Sequence, residues 1–199
     1  VASKSGQPFC TPCDDDEYTP RGTQQCVQLS INHVNPTTNI HTSGSTPLTI
    51  SGDGFSDNPL DPMKAMFVTG GECTILTRTM RRITCSPPPG GGSDLSLRVV
   101  YIPAQQMVFS EAPDSISYAP PIISSVDGCG SANTHATTPT CNTTGGQIIT
   151  ITGDNFGPPL SATAKLNMNA CTNLTHDSST PHNKIYSTVP PGVGKEAIL

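Results

Sequence analysis

The chain has 199 residues with a formal net charge of −5, 20 prolines, 18 glycines, eight cysteines and no tryptophan, and only 13% of its residues are charged. An acidic chain lacks the positive field that releases counterions from nucleic acid, and no stretch approaches the ~20 apolar residues of a membrane span. Turn formers in nearly every window, with no long apolar stripe of 3.6-residue period, exclude a helical bundle and predict many short strands packed as a sandwich or barrel.

A hydrophobic content of 34% predicts thin cores that need stapling. The eight cysteines are Cys10, Cys13, Cys26, Cys73, Cys85, Cys129, Cys141 and Cys171. They read as disulfides rather than a zinc site, because only Cys10-x2-Cys13 has the knuckle form and no second pair answers it. Disulfides place the chain in an oxidising compartment. The sequons Asn142-Thr-Thr144 and Asn173-Leu-Thr175 point the same way and nominate Asn142 and Asn173 for N-linked glycans, while Asn169-Ala-Cys171 is a rarer form. With neither an initiating Met nor a signal peptide, the sequence reads as a mature product or a piece of a longer chain.

In chain order, residues 1–29 form a small cysteine-rich module with no core of its own, dependent on its bridges. Its Asp14-Asp-Asp-Glu17 run offers oxygen ligands to calcium but lacks the alternating spacing and central glycine of a calcium loop, so it reads as a solvated acidic turn. Residues 30–117 follow as a first sandwich, opened by a strand over Ile31–Pro36. Within it, Ser43-Gly-Ser-Thr-Pro-Leu-Thr-Ile-Ser-Gly-Asp-Gly-Phe55 is a glycine turn, an alternating strand and a sharp corner. Leu48 and Ile50 point inward, Thr49 points out, and Phe55 plugs the end of the sandwich. The basic cluster Arg78, Arg81 and Arg82 reads as a strand edge guarded against pairing. Arg82-Ile-Thr-Cys-Ser-Pro-Pro-Pro-Gly90 is a short strand running into a proline turn, and strand-like Ser96–Tyr101 and Met107–Phe109 come after it.

Residues 118–121 form a stiff proline hinge. Residues 122–199 then repeat the first sandwich: Ile122–Val126 opens it, Thr144-Gly-Gly-Gln-Ile-Ile-Thr-Ile-Thr-Gly-Asp-Asn-Phe156 aligns without a gap, and Lys184-Ile-Tyr-Ser-Thr-Val-Pro-Pro-Gly192 answers the proline turn. Ile149 and Ile151 take the inward places and Thr150 the outward one.

These motifs resemble the IPT/TIG family, immunoglobulin-like domains shared by plexins and transcription factors. Both copies follow the family pattern in order, except that Ser187 stands in the second where Cys85 stands in the first. The resemblance covers roughly residues 30 to 199 and implies a sandwich of about seven strands per copy. The expected fold class is therefore all-β, two tandem immunoglobulin-like β-sandwiches with a small disulfide-rich N-terminal segment. The missing tryptophan departs from antibody domains. Phe9 to Cys26 resembles ephrin-receptor-like cysteine-rich modules, with a departure at Leu29, where those usually continue into another Cys-x2-Cys.

The IPT/TIG family often bridges the pair that Cys73 and Cys85 form here. Cys129 and Cys141 flank a Ser/Thr-rich excursion, Gly130 to Thr140, and each closure contributes about 3 kcal/mol in the loop-entropy model. Cys171 is left over, together with one of Cys10, Cys13 and Cys26. It is expected to bridge the N-terminal module, within the chain or between chains.

No enzyme is expected. His33, His41, His135, His176 and His182 are scattered through loop-like sequence, no Gly-x-Ser-x-Gly elbow occurs, and no cofactor or metal set can be nominated. Asp53 and Asp154 are expected to fix turns by side-chain-to-backbone hydrogen bonds. The leading expectation is a non-catalytic structural subunit of an extracellular glycoprotein assembly. The second copy stops at Glu196-Ala-Ile-Leu199, where the first continues into further strands; this fits an arbitrary fragment, a longer chain, or completion by a strand from a neighbouring protomer, and the last would build a filament by head-to-tail contacts or strand complementation, with copies of itself or other extracellular proteins as partners. The alternative is a ligand-recognition module of a cell-surface receptor ectodomain, as the plexin resemblance implies.

Overall fold

The computed structural model describes residues 13–14, 16–21, 25–102, 107–129 and 141–193, and these form strands and turns without a helix. They divide into two units, the described residues of Val1–Pro88 with Gly92–Tyr118, and those of Pro89–Gly91 with Ala119–Leu199. The protein is all-β, with two tandem immunoglobulin-like sandwiches.

The first unit contains β1 (Glu17–Tyr18), β2 (Val27–Gln28), β3 (Ser30–Asn35), β4 (Leu48–Asp53), β5 (Met63–Phe67), β6 (Glu72–Thr79), β7 (Arg82–Ser86), β8 (Leu95–Tyr101) and β9 (Val108–Ile116). Its main sheet runs β3-β4-β7-β6-β5-β8-β9. β6 changes partner along its length: Thr74–Thr79 pair with β7, whereas Glu72 and Cys73 pair with β5. The sheet therefore folds at β6 into two facing layers, and period-2 alternation delivers one side of each strand to the space between them. Leu48, Ile50, Ala65, Ile83, Leu97 and Val99 are fully buried there, each large aliphatic contributing roughly 1.5–3 kcal/mol. The far ends close without a ladder: the Ile31 N–H donates to Ser110 Oγ at 3.1 Å and the Val34 N–H to Asp114 Oδ2 at 2.8 Å.

The described part of the N-terminal segment, expected to be a small cysteine-rich module with no core of its own, clusters with the first sandwich. A disulfide joins Cys13 to Cys26, but Tyr18, Val27 and Leu29 share the sandwich core. Tyr18 is buried, its ring stacks on Tyr101 with centroids 4.0 Å apart, and its hydroxyl donates to the Gly54 carbonyl at 2.6 Å. The Arg21 N–H donates to Asp61 Oδ2 at 3.2 Å, and the buried Asp61 carboxylate also accepts the Ser56 hydroxyl. Two strands of two residues cannot bury an aromatic ring by themselves, so the ring goes to the larger core. Tyr118, expected to open the hinge, also belongs to the first unit: it is buried and donates to the Pro88 carbonyl at 2.7 Å.

The second unit contains β10 (Ile122–Gly128), β11 (Ile148–Asp154), β12 (Lys165–Leu166), β13 (Asn169–Ala170), β14 (Thr172–His176) and β15 (Lys184–Thr188). The sheet order is β10-β11-β15-β14, with β12 and β13 as a separate hairpin. It repeats the first unit closely. β10 meets β11 with a register shift between Ile123 and Ser125, just as β3 meets β4 with a shift between Ile31 and His33. Ile149, Ile151, Phe156, Ile185 and Val189 form its buried cluster, with Leu166 and Leu174 packed against it.

Candidate functional site

The two signature stretches of each repeat touch in space at both ends of the central strand. A Cβ on Gly44 would overlap the Pro87 carbonyl oxygen, and one on Gly145 would lie 2.6 Å from the Pro190–Pro191 peptide, so the glycine turn seats directly on the proline turn. At the other end a Cβ on Gly52 would overlap the Ser30 carbonyl oxygen and stand 2.7 Å from the Phe55 ring. Gly153 meets the Ile122 carbonyl oxygen and the Phe156 ring in the same way. The glycine is needed because an opening strand and a plugging phenylalanine both approach its α-carbon.

The corner that follows is latched to the turn before β7 or β15. In the first unit the N–H groups of Gly52 and Phe55 donate to the carbonyls of Arg81 and Met80 at 3.0 and 3.1 Å. In the second, those of Gly153 and Phe156 donate to Asn183 and His182 at 2.8 and 2.9 Å. The aspartates add side-chain bonds. Asp53 Oδ1 lies 3.3 Å from Arg81 Nε and its Oδ2 accepts Asn32 Nδ2 at 3.3 Å, while Asp154 Oδ1 accepts Asn183 Nδ2 and the Asn155 N–H, each at 2.9 Å. Only Asp154 thus makes the backbone bond expected of both; Asp53 is drawn to the guanidinium instead.

Around the first latch lies an open cleft of about 520 Å³ lined by Asn32, Ser51, Gly52, Asp53, Thr79, Arg81 and Arg82. Its wall offers amide, hydroxyl and guanidinium groups, and its carboxylate is already shared between Arg81 and Asn32. The lining holds no histidine or thiol that would activate Ser51 or Thr79 as a nucleophile. Such a wall can hydrogen-bond a polar group. Arg78 is not part of it. Its guanidinium donates to the carbonyl oxygens of Asn58 and Asp61, the latter at 3.2 Å, and ties β6 to the loop beside it.

Disulfides join Cys73 to Cys85 and Cys129 to Cys141. The first clamps β6 to β7 at the point where the sheet folds. Cys171 is a free thiol in the single chain, its titration pushed up by burial; of the two bridges expected to the N-terminal segment, the one within the chain is not formed, and the one between chains needs a second copy. Cys10 lies outside the described residues. Asn142 and Asn173 are both exposed, the first beside a tight turn and the second in β14. In the acidic run Asp16 accepts Gln28 Nε2 at 2.6 Å and Glu17 accepts the Asp14 N–H at 3.4 Å; Asp15 lies outside the described residues. Glu17 stands near Cys13 and Cys26, but those sulfurs are spent in their disulfide and cannot ligate a metal.

The described histidines are not brought together. His33 Nδ1 is 2.7 Å from Asp114 Oδ2, His41 Nδ1 is 2.7 Å from Ser43 Oγ, and His176 Nδ1 donates to the Pro181 carbonyl at 2.6 Å; His135 lies outside the described residues. The Val34 N–H, with His33 beside it, holds Asp114 below the usual carboxylate range. Asp177 is held well below that range by the Ser179 hydroxyl, the Tyr186 hydroxyl and the N–H groups of Thr180 and Ser179. No helix of the described residues is long and apolar enough to cross a membrane.

The IPT/TIG domain family matches residues 29–113 and 132–198, the first segment beginning at the last residue of the N-terminal segment. No curated protein sequence matches the chain. Among solved structures, the full extracellular region of plexin A4 aligns with 83% of this chain and 16% of its own length, at 18% identity and a TM-score of 0.40. A putative phosphatase from Bacteroides thetaiotaomicron aligns with 54% of this chain and 21% of its own, at 15% identity and a TM-score of 0.39. The chain spans about a fifth or less of either protein.

Proposed function

Because this chain belongs to the IPT/TIG domain family, we propose that it is a non-catalytic, extracellular pair of β-sandwich modules within a larger glycoprotein, serving as a recognition and spacing segment of an ectodomain. The observation that carries the reading is the set of three disulfides, Cys13–Cys26, Cys73–Cys85 and Cys129–Cys141. Both units contain at least one, and such bonds persist in oxidising compartments. Small β units with thin cores gain from them what burial alone does not supply.

The cleft at the Gly-Asp corner fits recognition better than turnover, since it presents hydrogen-bonding groups around a carboxylate that is already paired. The family match and the three disulfides fit such a module at least as well as the filament expected from the sequence, and the module reading is the one proposed. Labelling intact source cells with a membrane-impermeant amine reagent, followed by non-reducing peptide mapping, tests the proposal. The expected result is labelled chain carrying the Cys73–Cys85 and Cys129–Cys141 peptides as linked pairs. Labelling only after lysis, with those cysteines alkylated as thiols, would overturn it.

A further inference from the structure

The same edge of the sheet is exposed in both units, and the two units treat it differently. In the first, Thr74–Thr79 of β6 pair with β7 on one side. In the second, β14 pairs with β15 and has no strand on its other side among the described residues. Thr172 faces Thr188 as Thr74 faces Ser86, and His176 faces Ile185 as Arg78 faces Ile83. The two edges are thus in matching register. An open edge presents unpaired N–H and C=O groups on which another strand can build, and proteins guard such edges with charge or bulk. Arg78 guards the first by reaching across to the Asn58 and Asp61 carbonyls. His176 turns to the Pro181 carbonyl instead and leaves the second without that guard.

What the second edge carries is Asn173-Leu-Thr175. The ladder slips between Thr172 and Thr175, and Asn173 sits in that slip with a φ of 51°. Leu174 packs against the core while Asn173 and Thr175 are exposed, so both functional side chains of the sequon are accessible on the edge strand. The Asn173 amide is barely held, its nearest partner being Thr188 Oγ1 at 3.5 Å.

We propose that Asn173 carries an N-linked glycan that caps the β14 edge, filling the role that Arg78 has in the first unit. Asn173 Nδ2 loses a proton and bonds to the anomeric carbon of a lipid-pyrophosphate-linked oligosaccharide, and the lipid pyrophosphate leaves. A hydrated sugar at that position prevents a second strand from approaching along β14. The inference rests on the extracellular reading above.

The test uses the full chain secreted from eukaryotic cells, with intact-glycopeptide mass spectrometry for occupancy and light scattering for self-association. Asn173 is expected to be occupied. Asn173→Gln and Thr175→Ala are each expected to lose one glycan and to self-associate, whereas Thr175→Ser and Asn142→Gln stay dispersed like the parent. Thr175→Ala leaves Asn173 in its turn, so association in both variants separates loss of the glycan from local misfolding. Occupied Asn142 with bare Asn173 would overturn the inference alone, as would glycan-free variants no more associated than the parent. A retained chain with both sequons bare would overturn the extracellular reading and this inference with it.

Discussion

Ser187 stands to Cys171 as Cys85 stands to Cys73. Cys171 and Ser187 each precede by one residue the facing pair Thr172 and Thr188, as Cys73 and Cys85 each precede Thr74 and Ser86. One pair is a disulfide and the other is a free thiol beside a buried serine whose hydroxyl donates to the Thr172 carbonyl at 2.9 Å. The second unit therefore keeps, at the flanking pair, the register beside which the first forms its bridge, with a serine in place of the second sulfur.

It follows that Ser187→Cys should bond to Cys171 without rearrangement. A loop of this size yields about 3 kcal/mol in the loop-entropy model, less about 1 kcal/mol for the lost hydroxyl bond. Thiol titration should show Cys171 consumed, with the melting transition raised relative to the parent. A Cys171 thiol that stays titratable in the variant would show that the two edges differ in spacing.

Gly52→Ala and Gly153→Ala should each destabilise their own unit by about 2 kcal/mol or more, because the added methyl meets a strand carbonyl and a phenylalanine ring. Gly70→Ala probes a different case, a turn glycine with open space around it but a φ of 110°, and should cost less, about 1 kcal/mol. Denaturant midpoints of the three variants rank the two effects.

Tyr18 ties the N-terminal segment to the first sandwich. Tyr18→Phe keeps the stacking on Tyr101 and loses the bond to Gly54, a change of about 1 kcal/mol. Tyr18→Ala empties the site and should cost about 3 kcal/mol or more. Limited proteolysis should then cut between Cys13 and Leu29 in the alanine variant and spare the phenylalanine one. Equal protection in both would mean that the disulfide alone holds the segment.

Acid should weaken the second unit through Asp177. Its folded pKa lies below the ordinary carboxylate value of about 3.9, so its stabilising contribution is complete above that pH and is lost as pH falls toward the folded value. The urea midpoint should be flat between about pH 7 and 5 and drop below about pH 4. Asp177→Asn should lower the midpoint at neutral pH and flatten the acid-side drop. An unchanged acid-side slope in the variant would show that Asp177 does not carry the loss.

Much of the fold is legible in the residues themselves. Alternation places Leu48, Ile50, Ile149 and Ile151 inside because a strand turns every second side chain the same way, whatever it packs against. The gapless repeat likewise marks Gly52 and Gly153, and only one residue type fits where two backbones and a ring converge. The polar partners are another matter. Asp53 and Asp154 hold the same place in the repeat, yet one binds Arg81 and the other Asn183, because the distant turn that folds against each carries a different residue at the equivalent position. Tyr18 reads as part of a small separate module until the sandwich supplies Tyr101 and Gly54 for its ring and hydroxyl. Strand identity and core sidedness are thus properties of short stretches and were determined by sequence alone. Which edge lies open, which charge finds a partner and which cysteine goes without one depend on segments distant along the chain, and only their meeting in the folded protein decided them.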